Sequence, residues 1–153
     1  MSNVTTPSVT IRTAVIADLA LVIPLLSLLD RPGMPPMELE EAANLFARMA
    51  SYPDYRLFIA EINGQAVGTY SLLIMDNLGH RGSPIGIVEC VSVAEDRRGQ
   101  GIGKQLMHHA MRECQIKGCY KLALSSNVVR TDAHAFYDSL GFKRHGISFV
   151  VEW

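Results

Sequence analysis

The chain has 153 residues, 48% of them hydrophobic, and a formal net charge of -1 from 14 Lys and Arg against 15 Asp and Glu. That length and apolar share suit one globular domain with its own core and exclude a disordered chain. The near-neutral balance gives no general attraction to nucleic acid or to an anionic membrane, and no apolar run is long enough to span a bilayer.

Residues 1–8 read as a loose, polar tail without the charged and apolar regions of a signal peptide, and residues 9–153 as the domain. Val9 to Ala14 predicts a first strand. Ala17 to Asp30 predicts a helix that Pro24 should kink or divide. Asp30 to Pro36, with three prolines and Gly33, is a loop. Met37 to Ala50 carries Leu39, Ala42, Ala43, Phe46 and Met49 at helical spacing. Tyr55 to Ile62 and Gln65 to Met75 flank Asn63-Gly64, a strong hairpin signal because both central residues of a type I′ turn need positive φ.

Asp76 to Pro84 is a polar loop, and Ile85 to Val93 a strand. Ile102 to Lys117 is a helix ended by Gly118. Tyr120 to Ser125 is another strand. A short helix capped by Thr131 or Asp132 runs to Leu140, before Gly141. A last strand is expected from Phe142 or His145 to Trp153. The order β-α-α-β-β-β-α-β-α-β fits an α/β (α+β) fold, a single domain with a mixed central sheet flanked by helices. Three cysteines (Cys90, Cys114, Cys119) lack metal-ligand or CxxC spacing, and His108-His109 are adjacent on a helix and face apart. No metal is expected, and reduced thiols without a signal peptide point to the cytoplasm.

Chemistry concentrates after the strand Ile85 to Val93, where the chain reads Arg97-Arg98-Gly99-Gln100-Gly101-Ile102-Gly103-Lys104. Glycines let successive backbone amides converge, and the following helix adds its positive end, which makes a phosphate or pyrophosphate socket. A Walker A loop ending at Lys104 would need glycine at Arg98 and Ser or Thr at Gln105. A dinucleotide fingerprint needs G-x-G-x-x-G after an early strand, and the glycine spacing here is G-x-G-x-G.

Arg98 to Gly103 instead fits R-x-x-G-x-G, and Ala133-His134-Ala135-Phe136-Tyr137-Asp138-Ser139-Leu140-Gly141-Phe142 fits A-x-x-F-Y-x-x-L-G-F. Two such motifs in order, separated by one helix and one strand, resemble the GNAT family of N-acetyltransferases over nearly the whole chain. The resemblance implies acetyl-CoA as co-substrate. Its pyrophosphate would be held by the amides of Arg98, Gly99, Gln100, Gly101, Ile102, Gly103 and Lys104. Its pantetheine arm would lie along Cys90, Val91, Ser92 and Val93, with the Val91 N–H as oxyanion donor. Phe136, Tyr137 and Asn127 complete the expected carrier contacts, Asn127 being equally readable as a plain loop cap.

Acetyl transfer to an amine requires a held thioester, a neutral amine, donors for the oxyanion and a proton for the leaving thiolate. The resemblance makes Tyr137 that proton donor. A phenol near ~10 suits a thiolate near ~8.5. Glu89 is the only acidic residue within its apolar strand, and strict alternation would put Ile87, Glu89 and Val91 on one face. A partly buried carboxylate there would accept the amine proton directly or through water, or orient the substrate.

The acceptor is the open part. Ile87-Val88-Glu89-Cys90-Val91 and Cys119-Tyr120-Lys121 are similar to glucosamine-6-phosphate N-acetyltransferases, with Cys90 replacing their aspartate. The chain end resembles small-molecule acetyltransferases, including those acting on aminoalkylphosphonates. His80, Arg81, Arg130 and His134 are the candidate substrate contacts, each also readable as ordinary surface. The expected activity is acetylation of a small-molecule primary amine in a ternary complex. A protein or peptide amine, or a non-catalytic acyl-CoA sensor, is the alternative. The family commonly forms homodimers.

Overall fold

A computed structural model describes residues 8–153. Most of the expected tail therefore lies outside the described residues. The described residues form, in chain order, β1 (Thr10–Thr13), α1 (Leu19–Ser27), α2 (Leu39–Met49), β2 (Tyr55–Ile62), β3 (Gln65–Met75), β4 (Ile85–Val93), α3 (Ile102–Ile116), β5 (Lys121–Ala123) and α4 (Thr131–Ser139). Internal contacts divide the chain after Ala123, so β1 to β5 form one unit and Leu124–Trp153 another.

In the first unit the strands lie in sequence order. β1 to β4 pair antiparallel, and β4 and β5 pair parallel through the α3 crossover. The β2–β3 turn is the one the sequence predicts: Asn63 and Gly64 have φ of 51° and 75°.

Two layers cover the sheet. On one face Leu19, Val22 and Ala42 of the first two helices bury against Leu57 and Ile59. On the other, α3 buries Ile102, Leu106, Met107 and Ala110, spaced to put one stripe inward. Each such large side chain contributes roughly 1.5–3 kcal/mol by leaving water. Gly68 in β3 permits this approach: a Cβ there would lie 3.2 Å from both Ile102 and Leu106.

Pro24 sits inside α1, and of the kink or division expected there the division does not occur: the helix runs from Leu19 to Ser27. A proline at this point forfeits one bond, to the Ala20 carbonyl, while Val22 and Leu25 beside it are buried. The final strand is also absent: residues 142–153 form no strand among the described residues. Ile147, Phe149, Val150, Val151 and Trp153 are exposed. Their β-branched composition favours extended backbone but supplies no partner edge.

Candidate active site

β4 departs from a regular ladder at the position that matters. Thr69 pairs with Ser92, but Ser71 pairs with Glu89, so β4 spends one more residue than β3 between these rungs. The extra residue is absorbed by Cys90, whose φ is 54°. A non-glycine residue in the left-handed region marks local strain held by its surroundings, and here it makes a β-bulge opposite Tyr70.

The bulge corrects the alternation expected from sequence. Glu89 and Ser92 now share the face of Ser71 and Thr69, and Val91 turns to the other face. Glu89 is also exposed rather than partly buried. Ser92 is buried, and its Oγ donates a 2.6 Å hydrogen bond to the Leu25 carbonyl of α1. Tyr70 is fully buried, stacks on Phe58 and hydrogen-bonds His109 Nδ1 at 2.7 Å. No sequence pattern singled out Tyr70.

β4 and β5 pair only at Ile85–Lys121, Gly86–Leu122 and Ile87–Ala123. Beyond Ile87 that edge of β4 has no strand partner among the described residues.

The strand runs into a one-turn 3-10 segment, Glu95–Arg97, and then the glycine turn. Gly99 and Gly101 have φ of 78° and 80°, and a Cβ on either would meet nothing within 4 Å. Gly101 is the N-cap of α3 and supplies no side-chain cap, so the first-turn amides are not capped by a side chain. Ile102 is buried and anchors the turn, while Arg98, Gln100 and Lys104 are exposed and make no side-chain hydrogen bond or ion pair among the described residues. Arg97 turns aside to Gln65 Oε1 at 3.3 Å. An uncapped helix start, open glycines and a free guanidinium fit a pyrophosphate.

His80 and Arg81 occupy a 3-10 segment, His80–Gly82, both with positive φ. The His80 ring stacks on Tyr120 at 4.2 Å, and Lys121 Nζ lies over the Tyr120 ring at 5.3 Å. Two basic side chains, His80 and Lys121, thus meet at Tyr120 where β4 and β5 begin, and Arg81 follows His80 in the chain.

The second unit holds the other predicted residues. Asn127 caps its own turn: Oδ1 accepts the Val129 N–H at 3.1 Å, and its carbonyl accepts the Arg130 N–H at 3.0 Å. His134 Nε2 hydrogen-bonds that same carbonyl at 2.8 Å and makes no bond to Tyr137 among the described residues. Tyr137 packs edge-on against Phe142 at 5.6 Å and beside Phe136 at 5.1 Å. Burial pushes its phenol above the usual value, with Arg130 pulling the other way. Arg130 is exposed and becomes the residue before the helix, so Thr131 is its first residue rather than its cap.

A cavity of about 390 Å³ lies elsewhere, lined by Thr13, Phe46, Tyr52, Asp54, Arg56 and Lys117 among others. None of the sequence-predicted residues borders it. Among the described residues no group of His, Cys, Asp and Glu is arranged to hold a metal, and no helix is long and apolar enough to cross a membrane.

Residues 24–142 match the model of the acetyltransferase (GNAT) family. The chain is 31% identical over 118 residues to a glucosamine 6-phosphate N-acetyltransferase of Trypanosoma brucei brucei, covering 77% of each chain. It is 36% identical over 105 residues to the aminoalkylphosphonate N-acetyltransferase of Salmonella typhimurium, covering 69% of this chain and 68% of the relative. The crystal structure of glucosamine-6-phosphate N-acetyltransferase from Arabidopsis thaliana superposes with a TM-score of 0.83 at 27% identity, over 95% of this chain and 99% of that one.

Proposed function

Because the chain belongs to the acetyltransferase (GNAT) family and is an acetyl-CoA-dependent N-acetyltransferase, we propose that its acceptor is a small primary amine bearing a phosphate or phosphonate. The observation that carries the reading of the site is the Cys90 bulge, which lies in the half of β4 that pairs with β3 but has no partner on the β5 side, immediately before an uncapped glycine turn.

In this reading the amides from Gly99 to Lys104 and the Arg98 guanidinium hold the pyrophosphate of acetyl-CoA. The backbone groups of Val91 and Val93 bond the pantetheine arm, while Ser92 between them pairs with Thr69. The amine lone pair attacks the thioester carbonyl carbon, and the Val91 N–H donates to the oxygen as it becomes anionic. One such donor contributes about 3–4 kcal/mol to lowering the barrier. Glu89 takes the amine proton directly or through a water molecule, its exposed carboxylate being open to an incoming ammonium. The tetrahedral intermediate collapses with loss of the thiolate, to which Tyr137 gives its phenolic proton. A phenol kept above its usual pKa stays protonated at neutral pH until a thiolate forms.

Acceptor choice rests on charge. Both curated relatives named above carry a phosphorus oxyanion in their acceptor's name. His80 and Lys121 meet at Tyr120 at the start of β4 and β5, in the same unit as Glu89, and Arg81 is the next residue after His80. Arg81 suits such an oxyanion because its guanidinium presents a planar fork of donors.

The test follows thiol release from acetyl-CoA with glucosamine 6-phosphate, glucosamine, an aminoalkylphosphonate, the matching aminoalkanol and peptides. The proposal expects the phosphorus-bearing member of each pair to have at least a tenfold higher kcat/KM, and Arg81→Ala to narrow that gap. Equal turnover within the pairs, or turnover on peptides alone, contradicts it.

A further inference from the structure

Two of the three cysteines belong to none of this chemistry, yet the fold brings them together. α3 ends in a Schellman motif: Gly118 takes φ 73°, its N–H bonds the Gln115 carbonyl at 3.2 Å, and the Cys119 N–H reaches back to the Cys114 carbonyl at 3.0 Å. This turn brings together the side chains at its two outer positions, ordinarily a pair of apolar residues. Here both are cysteines. With the Cys119 nitrogen 3.0 Å from the Cys114 oxygen, the two Cα atoms are at most about 6.9 Å apart, within reach of a disulfide after small adjustment. Cys114 is buried, whereas Cys119 is half-buried at the surface end of the motif. Cys119 directly influences the titration of Cys114, as expected for neighbouring sulfurs.

The pair is placed where a change would be felt. The Cys114 sulfur fills the space a side chain on Gly86 would take, and Leu122 closes the same spot from β5. Gly86–Leu122 is the middle of the three rungs that join β4 to β5 before β4 loses its partner. A sulfur drawn from beneath Gly86 toward Cys119 removes the packing under that rung.

We propose that Cys114 and Cys119 form a dithiol–disulfide site, oxidised by a small-molecule disulfide, whose state sets how firmly β4 and β5 are joined beside the acetyl-CoA groove. Cys119 is the entry point. Its thiolate attacks one sulfur of oxidised glutathione; that S–S bond breaks, one glutathione thiolate leaves and takes a proton, and a mixed disulfide remains on Cys119. Cys114 then releases its proton, and its sulfur attacks Cys119 Sγ. The second glutathione thiolate leaves and is protonated. Two protein thiols are oxidised to one disulfide, and one glutathione disulfide is reduced to two thiols. Burial, Cys119 and the nearby Glu113 carboxylate hold Cys114 protonated, with its pKa pushed up to about 12 despite Arg56, so the second step is the slower one.

The full chain is equilibrated in glutathione buffers of increasing oxidised fraction, alkylated and digested with trypsin. Because Lys117 lies between the cysteines, the disulfide joins two separate peptides, Glu113–Lys117 and Gly118–Lys121. The expected result is that linked pair, together with at least a threefold rise in KM for acetyl-CoA that dithiothreitol reverses. Cys119→Ser, which retains basal activity, must lose the effect. This control also separates the pair from Cys90, the exposed cysteine in β4. Failure of the linked pair to form, a linked pair with unchanged KM, or an oxidant effect that persists in Cys119→Ser each overturns the proposal.

Discussion

Ser92 Oγ donates to the Leu25 carbonyl at 2.6 Å, joining the bulged half of β4 to the last full turn of α1 across 67 residues of sequence. Both residues are buried. The Leu25 carbonyl otherwise receives only the Leu28 N–H, at 3.3 Å. The strand proposed to present its backbone to acetyl-CoA is thereby tied to the first helix.

Ser92→Ala leaves that carbonyl poorly satisfied in a dry setting. The expected cost is about 1–2 kcal/mol of folding stability in a urea titration, and Ser92→Thr should recover part of it. Loss confined to a few tenths of a kcal/mol in Ser92→Ala would show that the tie carries little energy.

Tyr70 and His109 form the corresponding pair on the other face of the sheet. Tyr70→Phe deprives His109 Nδ1 of its partner and should cost about 1–2 kcal/mol, while preserving the stack on Phe58. Burial lowers the His109 pKa below its usual 6.5, opposed by Glu113 and reinforced by Arg112 and Arg56. The unfolded chain therefore takes up this proton first. Stability should fall as pH drops below about 6.5, and His109→Gln should flatten that limb of the pH–stability curve.

The acid limb has a separate origin. Arg12 bonds both carboxylate oxygens of Asp18 at 2.7 and 2.8 Å, and the Val15 N–H adds a third bond, holding Asp18 at about 2. A depressed carboxylate stabilises the fold above its unfolded pKa near 3.8, and this contribution disappears as pH falls toward 2. Thermal unfolding of Asp18→Asn should show a lower Tm at pH 7 and a smaller further drop between pH 4 and pH 2 than the parent chain.

Much of this arrangement is legible in sequence because its signals are local. β4 occupies Ile85–Val93, the hairpin turns at Asn63-Gly64, and Gly118 and Gly141 follow helix ends with positive φ. The glycine turn and the helix carrying Phe136 and Tyr137 likewise stand where their own residues put them. The Cys90 bulge does not. It sits on a residue whose type discourages positive φ, and its cause is the pairing of β4 with β3 rather than any nearby glycine. Strict alternation consequently put Glu89 and Val91 on one face when they lie on opposite ones. The chain end fails for a related reason: Ile147 to Trp153 has strand composition, but a strand also needs an edge to pair with.

Glu89 and Tyr137 separate kinetically. Glu89→Gln should lower kcat by at least tenfold and move the acidic limb of the pH–kcat/KM profile if Glu89 is the base. Tyr137→Phe should lower kcat at neutral pH with little change in KM for acetyl-CoA, since it removes a proton delivered as the thiolate leaves. An unmoved acidic limb in Glu89→Gln reduces that residue to orienting the substrate.

In the proposed site the turn from Arg98 to Lys104 grips the pyrophosphate of acetyl-CoA. Calorimetric binding of acetyl-CoA and of S-acetylpantetheine, which lacks the pyrophosphate, to the parent chain and to Arg98→Ala addresses it directly. Arg98→Ala should weaken acetyl-CoA about tenfold and leave acetylpantetheine unchanged, because only one of the two ligands carries the group that Arg98 would hold. Equal weakening of both ligands, or of neither, would contradict it.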